Sequence, residues 1–324
     1  MARRKLMAGI GACAALAAIT ACLLLYAIKT GSISVTWREL IRGLFVEYDA
    51  RVAAVYDLRL PRVLTALLAG AMLAPSGLLL QAVLKNPLAD PGIIGISGGA
   101  SLTASIITAF FPIMYFFIPV FAFVGGIISF FIIYSLSWKG GLDPVRIILV
   151  GVAVSAVFAG LGSVLGGINS SGITLSVSGL SQRSWSDVRL LAIYAAAGIA
   201  PAIALSPACN LMALDDVAIR GLGVNVNALR IAVSCVAVML VSAATAIIGV
   251  IAFLALLVPH AARRVVGSDH RVLTPFCALA GGFVLLLADT AGRLVVAPNE
   301  LSAATVMSVC GGPFFIFLLR RERA

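Results

Sequence analysis

Charge is what this sequence has least of. Charged side chains make up 11% of its 324 residues, against about a quarter in an ordinary soluble domain. Acids are the scarcer sign, 13 against 23 basic residues. So little polar surface cannot cover a soluble core of this size, which excludes a soluble enzyme. Histidine occurs twice, as His260 and His270, ten residues apart and without an HExxH pattern, so no metal site is expected. The six cysteines are scattered through apolar runs with no CxxC, which argues against a disulfide framework or a zinc site and for small core residues. No G-x-x-x-x-G-K-[ST] loop is present; Gly95-Ile96-Ser97-Gly98-Gly99 lacks the Lys and Ser or Thr that would hold phosphate and magnesium. The chain therefore has no phosphate loop of its own for ATP.

What is abundant is apolar sequence, 61% of the chain. Ten membrane helices of about 20 residues would use about 200 residues, comparable to that share. The uncharged run 6–28 follows Arg3, Arg4 and Lys5 and reads as a first span. Ile19-Thr20-Ala21-Cys22 within it resembles a lipoprotein cleavage site, the alternative being a removable signal. The second span is 63–84. Residues 91–138 carry no charge and exceed one crossing; Phe110-Phe111-Pro112 divides them into two spans. Further spans are expected over 147–168, 190–209, 231 to about 248, a shorter one after Gly249 broken at Pro259, 272–288 and 301–319. Between them, 29–62 is the longest charge-rich segment, with a short helix expected from the capping-box spacing of Thr36-Trp37-Arg38-Glu39. Residues 210–230 differ in kind: Leu211, Leu214, Val217, Ala218 and Leu222 are apolar at helical spacing, with Asp215, Asp216 and Arg220 interleaved, an amphipathic element at a membrane edge.

The charges test this arrangement. With both termini in the cytoplasm, inner segments hold 14 basic residues against six acids, and outer segments nine against seven. The inner excess is the bias that orients membrane proteins, so the basic balance is no sign of nucleic-acid binding. Nearly uncharged spans also disfavour an ion-coupled carrier, the rival reading, which needs ionisable groups at mid-membrane. Asp289 is the exception. It stands four residues before Arg293, the spacing of a helical ion pair.

Several blocks, in order, carry a resemblance. The first is Leu58-Arg59-Leu60-Pro61-Arg62, Gly70-Ala71, Ser76-Gly77, Gln81, Asn86-Pro87-Leu88-Ala89, Pro91-Gly92 and Gly95-Ile96-Ser97-Gly98-Gly99-Ala100. The second is Leu257-Val258-Pro259-His260 with Gly267 and Asp269-His270-Arg271; the third joins Asp289, Gly292-Arg293-Leu294, Glu300-Leu301 and Gly312-Pro313-Phe314-Phe315. Together they resemble the FecCD-type permease subunits of bacterial ABC importers, which take up ferric siderophores, haem and cobalamin. Ala255 and Ser302 depart from it, standing where the family usually has Gly and Pro.

The resemblance implies an all-α, polytopic fold of the type II ABC importer permease, with about ten transmembrane helices and one permease domain over 1–324. It implies a permease in the bacterial cytoplasmic (inner) membrane carrying an iron chelate, a ferric siderophore first, with haem or cobalamin as the alternative. The implied partners are a second permease subunit, identical or paralogous, two cytoplasmic ATPases that hold the ATP and magnesium, an extracytoplasmic substrate-binding protein and membrane lipid. No cofactor and no catalytic residue is expected on the chain itself. Arg59, Arg62 and Arg293 match positions that face acidic residues of the binding protein, the bland alternative being snorkelling at the interface. Leu211, Leu214, Asp216, Ala218, Leu222 and Gly223 match the element that couples to the ATPase, the alternative being a helix lying on lipid. Gly151, Ser155, Gly160, Gly162 and Gly166 match a pathway-lining span, although packing explains small residues equally well. Asn86, Pro87, Pro259 and His260 are structural or gating candidates.

Overall fold

The computed structural model describes residues 2–30, 53, 55–137, 144–168, 179–296 and 299–322, and every regular element among them is helical. In chain order these are α1 (Ala2–Lys29), a π-helical turn (Val55–Arg59), α2 (Leu60–Val83), α3 (Pro91–Ile94), α4 (Ile96–Phe110), a 3-10 segment (Pro112–Phe117), α5 (Ile118–Ser137) and α6 (Pro144–Ile168). There follow α7 (Trp185–Ala204), α8 (Ser206–Leu211), α9 (Asp216–Gly221), α10 (Val226–Ile248), α11 (Leu254–Val266), α12 (His270–Val295) and α13 (Ala303–Glu322). The capping box expected at Thr36 and most of the 29–62 segment lie outside the described residues.

Among the described residues seven stretches are long and apolar enough to cross a membrane: 7–29, 55–83, 112–137, 146–167, 185–204, 226–248 and 270–295. The other three expected crossings, α4, α11 and α13, are shorter or less apolar. α2 is the axis of the molecule, packed by α12, α10, α7 and α11. It approaches α12 most closely at Gly70 and Gly281, where a Cβ on either residue would overlap the other's backbone. Glycine there lets two helices meet backbone to backbone, the contact lipid-embedded helices use in place of hydrophobic exclusion.

Two places break the helical rule, and they face each other. The chain turns after α2 through Lys85-Asn86, forms the single turn α3, and kinks at Gly95 (φ 100°), a left-handed backbone that only glycine adopts cheaply. Asp90 caps α3, accepting from the N–H groups of Gly92 (2.7 Å) and Ile93 (3.1 Å). Opposite, 249–253 is non-helical, and a Cβ on Gly92 would lie 3.8 Å from both the Ala252 Cα and the Ile251 carbonyl. Gly249 (φ 79°) and Phe253 (φ 66°) both take positive φ, so the stretch is irregular rather than extended. The 13 residues of α11 rise only about 20 Å, less than the roughly 30 Å hydrocarbon thickness, so this crossing includes irregular backbone. Irregular backbone survives at that depth because protein, not lipid, surrounds it.

Pro259 does not end α11, as the sequence reading expects; it lies inside it. A proline removes the donor to the carbonyl four residues back, here Ala255. The Gln81 amide of α2 donates to that Ala255 oxygen (3.5 Å) and to the Ala89 oxygen (3.4 Å), while the Gln81 carbonyl accepts from Arg263 Nη2 (2.7 Å). One buried glutamine thus ties both breaks to α2.

Candidate functional site

At one end of the molecule the structure gathers the three arginines named from the sequence. Arg62, in the first turn of α2, grips Asp289 with Nε (3.0 Å) and Nη2 (2.8 Å) and reaches Glu300 with Nη1 (2.6 Å). Arg293 approaches the same carboxylate from one turn further along α12 (3.2 Å), as its spacing predicts. Its Nη1 also donates to the carbonyls of Ala27 (3.3 Å) and Thr30 (3.2 Å), and Arg59 Nη1 donates to Ile28 (3.4 Å). These carbonyls lie at the C-terminal end of α1, where cations are favoured.

Asp289 is fully buried, and the side chains of Arg62 and Arg293 are 12% and 8% exposed. Such a cluster first of all pins α1, α2 and α12 together. The sequence reading missed the Arg62 partners, 227 and 238 residues away. The available signal was that a lone acid inside an apolar helix requires a counter-ion.

At the opposite end lies the amphipathic element. It is not one helix over 211–223 but two short ones, α8 and α9, joined by 212–215. Asp216 opens α9. Its Oδ1 accepts from Lys85 Nζ (3.1 Å) and from Arg230 Nη2 (3.0 Å), and Lys85 also donates to the Leu214 carbonyl (2.7 Å). These cations hold the Asp216 carboxyl below the usual carboxylate range. Ile219 is buried, whereas Leu214, Val217, Ala218 and Leu222 are exposed, Val217 by 76%. Gly223 follows with φ 77°. Leu211, the last residue of α8, is half-buried. The result is an exposed apolar knob held by ion pairs at a charged end of the molecule, a kind of patch that marks contacts with protein or membrane.

Asn86 and Pro87 occupy the break after α2. Buried Asn86 accepts from the Leu88 N–H (2.9 Å) through its side chain, closing the turn, and Pro87 is exposed. With Gln81, Lys85, Arg263 and His270 they line a cavity of about 270 Å³. The ring of His260 stacks edge-on to Phe314 of α13, with centroids 6.1 Å apart. Asp90 is fully buried at the break, its Oδ1 held by the Gly92 and Ile93 N–H groups.

The α6 candidates divide. A Cβ on Gly151 would strike Ile94, and Gly95 packs against Ser155. By contrast a Cβ built on Gly160, Gly162 or Gly166 would meet nothing among the described residues within 4 Å. Leu149, Val152, Val157, Leu161 and Val164 are exposed around them.

The profile of the FecCD transport family matches residues 14–321. The chain belongs to the FecCD transport family. Among similar proteins is the "Probable heme-iron transport system permease protein IsdF" of Staphylococcus aureus strain MSSA476, 42% identical over 290 residues, covering 90% of this chain and 89% of that one. IsdF of strain Newman is 41% identical over the same length and coverage. Among solved structures, a metal-chelate type ABC transporter in an inward-facing conformation superposes with a TM-score of 0.79 at 26% identity, over 95% of this chain and 98% of that one. The PsaBC structure from Streptococcus pneumoniae, 16% identical, shares the fold with a TM-score of 0.60, over 87% of this chain and 95% of that one. This FecCD-family chain is therefore a multi-pass permease of the ABC importer class, a transport subunit rather than the enzyme of its system. Such a permease works with ATPase and substrate-binding partners.

Proposed function

We propose that this permease carries haem. The iron-chelate class expected from the sequence stands, and within it the observation that favours haem over a ferric siderophore is the 42% identity, over 90% of the chain, to a protein named for heme-iron transport. Two permease subunits, identical or paralogous, enclose the pathway between their α6 faces. Two ATPases act on the end bearing α9, and a binding protein docks on the end bearing Arg59. The α9 end and both termini face the cytoplasm, in keeping with the 14 to six bias of the inner segments. The exposed glycines of α6 support a wide, weakly polar pathway, suited to a bulky flat chelate handed across rather than held. ATP and magnesium remain on the partner.

The test is uptake by cells lacking the chain and its homologues, complemented with it, its ATPase and its binding protein. Haem iron should enter and siderophore iron should not; the reverse would overturn the cargo assignment. For the orientation, cysteine placed at Ala218 should crosslink to the ATPase, and failure in every nucleotide state would count against α9 as the coupling element.

A further inference from the structure

A groove of about 410 Å³ lies between α5 and α10, beside the end of α2. We propose that it is a binding site for an anionic phospholipid, its acyl chain in the groove and its phosphate beside Arg230. This rests on the membrane reading above, since only a chain in a bilayer presents the groove to lipid.

Three observations carry it. First, the lining is graded along the helices. Tyr134, Asn227 and Arg230 lie at the mouth, and Ile127, Phe130, Phe131, Ile231, Ser234 and Cys235 continue inward. The helix rises about 12 Å from Asn227 to Cys235, somewhat less than one leaflet's half of the roughly 30 Å core. The polarity thus falls from headgroup level to acyl level as a single lipid's does.

Second, the charge at the mouth is unbalanced. Among the described ion pairs Lys85 and Arg230 share the one carboxylate of Asp216, which leaves a positive charge over. Among the described residues Arg230 hydrogen-bonds through Nη2 alone, and a guanidinium carries five donors. Basic pockets between membrane helices are the sites that select acidic headgroups. Third, the groove is open, with Phe131 58% and Ile231 60% exposed. The site borders the coupling element, because the residue that would meet the phosphate is the one that holds Asp216.

The experiment uses the complete importer in nanodiscs, with a diazirine on the acyl chain of either phosphatidylglycerol or phosphatidylcholine. Phosphatidylglycerol should label peptides spanning 127–134 and 231–235. Arg230→Gln should reduce labelling about fivefold, the effect of one basic residue at an acidic surface. Ser234→Phe, which fills the groove and leaves the ion pairs intact, should abolish it. Excess inorganic phosphate should not compete; competition would mean a free-anion site and overturn the assignment. Equal labelling by phosphatidylcholine, labelling unchanged by Ser234→Phe, or a crosslink from Cys235 to a second copy in place of lipid would each overturn it too. Haem uptake assayed in parallel separates the two readings: uptake without labelling defeats the lipid site alone, and labelling without uptake defeats only the cargo assignment.

Discussion

The two ends of the molecule are both built from two cations converging on one carboxylate, yet they differ in depth. Asp289 has no exposed surface, and Arg62 and Arg293 close over it. Asp216 is 31% exposed and Lys85 37%. A buried ion pair that loses one partner leaves an uncompensated charge and costs about 3–5 kcal/mol, whereas an exposed pair is worth about 0–1 kcal/mol. The same chemistry therefore makes a staple at one end and a clamp that opens cheaply at the other. A transporter needs both: helices that stay assembled, and an element that can be moved by a partner.

Breaking the staple should give the largest effect. Asp289→Ala leaves Arg293 without its carboxylate and Arg62 with Glu300 alone, and the loss should be about 3 kcal/mol, the lower end of the range for breaking a buried pair, read as a fall in the thermal unfolding temperature of the detergent-purified permease. Arg62→Glu should behave alike, so charge reversal at Arg62 reports on folding as well as on docking. Arg59→Glu discriminates better, because Arg59 is not among the cations on Asp289. It should abolish uptake with membrane insertion unchanged if that end docks a binding protein; wild-type uptake would remove the docking role.

Asp90 allows a subtler test. Its Oδ1 caps α3 by accepting from the Gly92 and Ile93 N–H groups. Asp90→Ala removes that acceptor and should cost about 1 kcal/mol, read in thermal unfolding, whereas Asp90→Asn keeps a capping oxygen and should stay close to the wild type. The smallest change is expected at the clamp. Asp216→Asn should alter thermal stability by about 0–1 kcal/mol while lowering the uptake rate per ATP hydrolysed. A large fall in stability there would erase the contrast between the ends.

The spans were legible because lipid leaves little choice: uncharged runs of sufficient length, cut by Pro112 or closed by Lys85 and Arg263, mark helices and their ends. The Asp289–Arg293 pair was legible because i,i+4 spacing is local. Arg62 on Asp289, Lys85 on Asp216 and Gln81 on Ala255 were not, since each joins residues more than 130 apart in sequence and no periodicity reports on such distances. Pro259 misled for a related reason. A proline breaks a helix when its orphaned carbonyl has no other donor, and here the donor comes from α2. Gln81 appeared in the sequence reading only as part of a resemblance, and its hydrogen bonds give the physical basis for its place there.

The division of α6 has a mechanical consequence. One half is fixed where Gly151 and Ser155 meet the kink at Gly95, whereas a Cβ built on Gly160, Gly162 or Gly166 would meet no described atom of its own chain within 4 Å. The same helix therefore has a root that its own fold locks and a glycine-bearing stretch whose contacts must come from lipid or from another subunit. A larger residue at Gly151 should disturb the fold of the chain itself, and one at Gly160 only what packs against it.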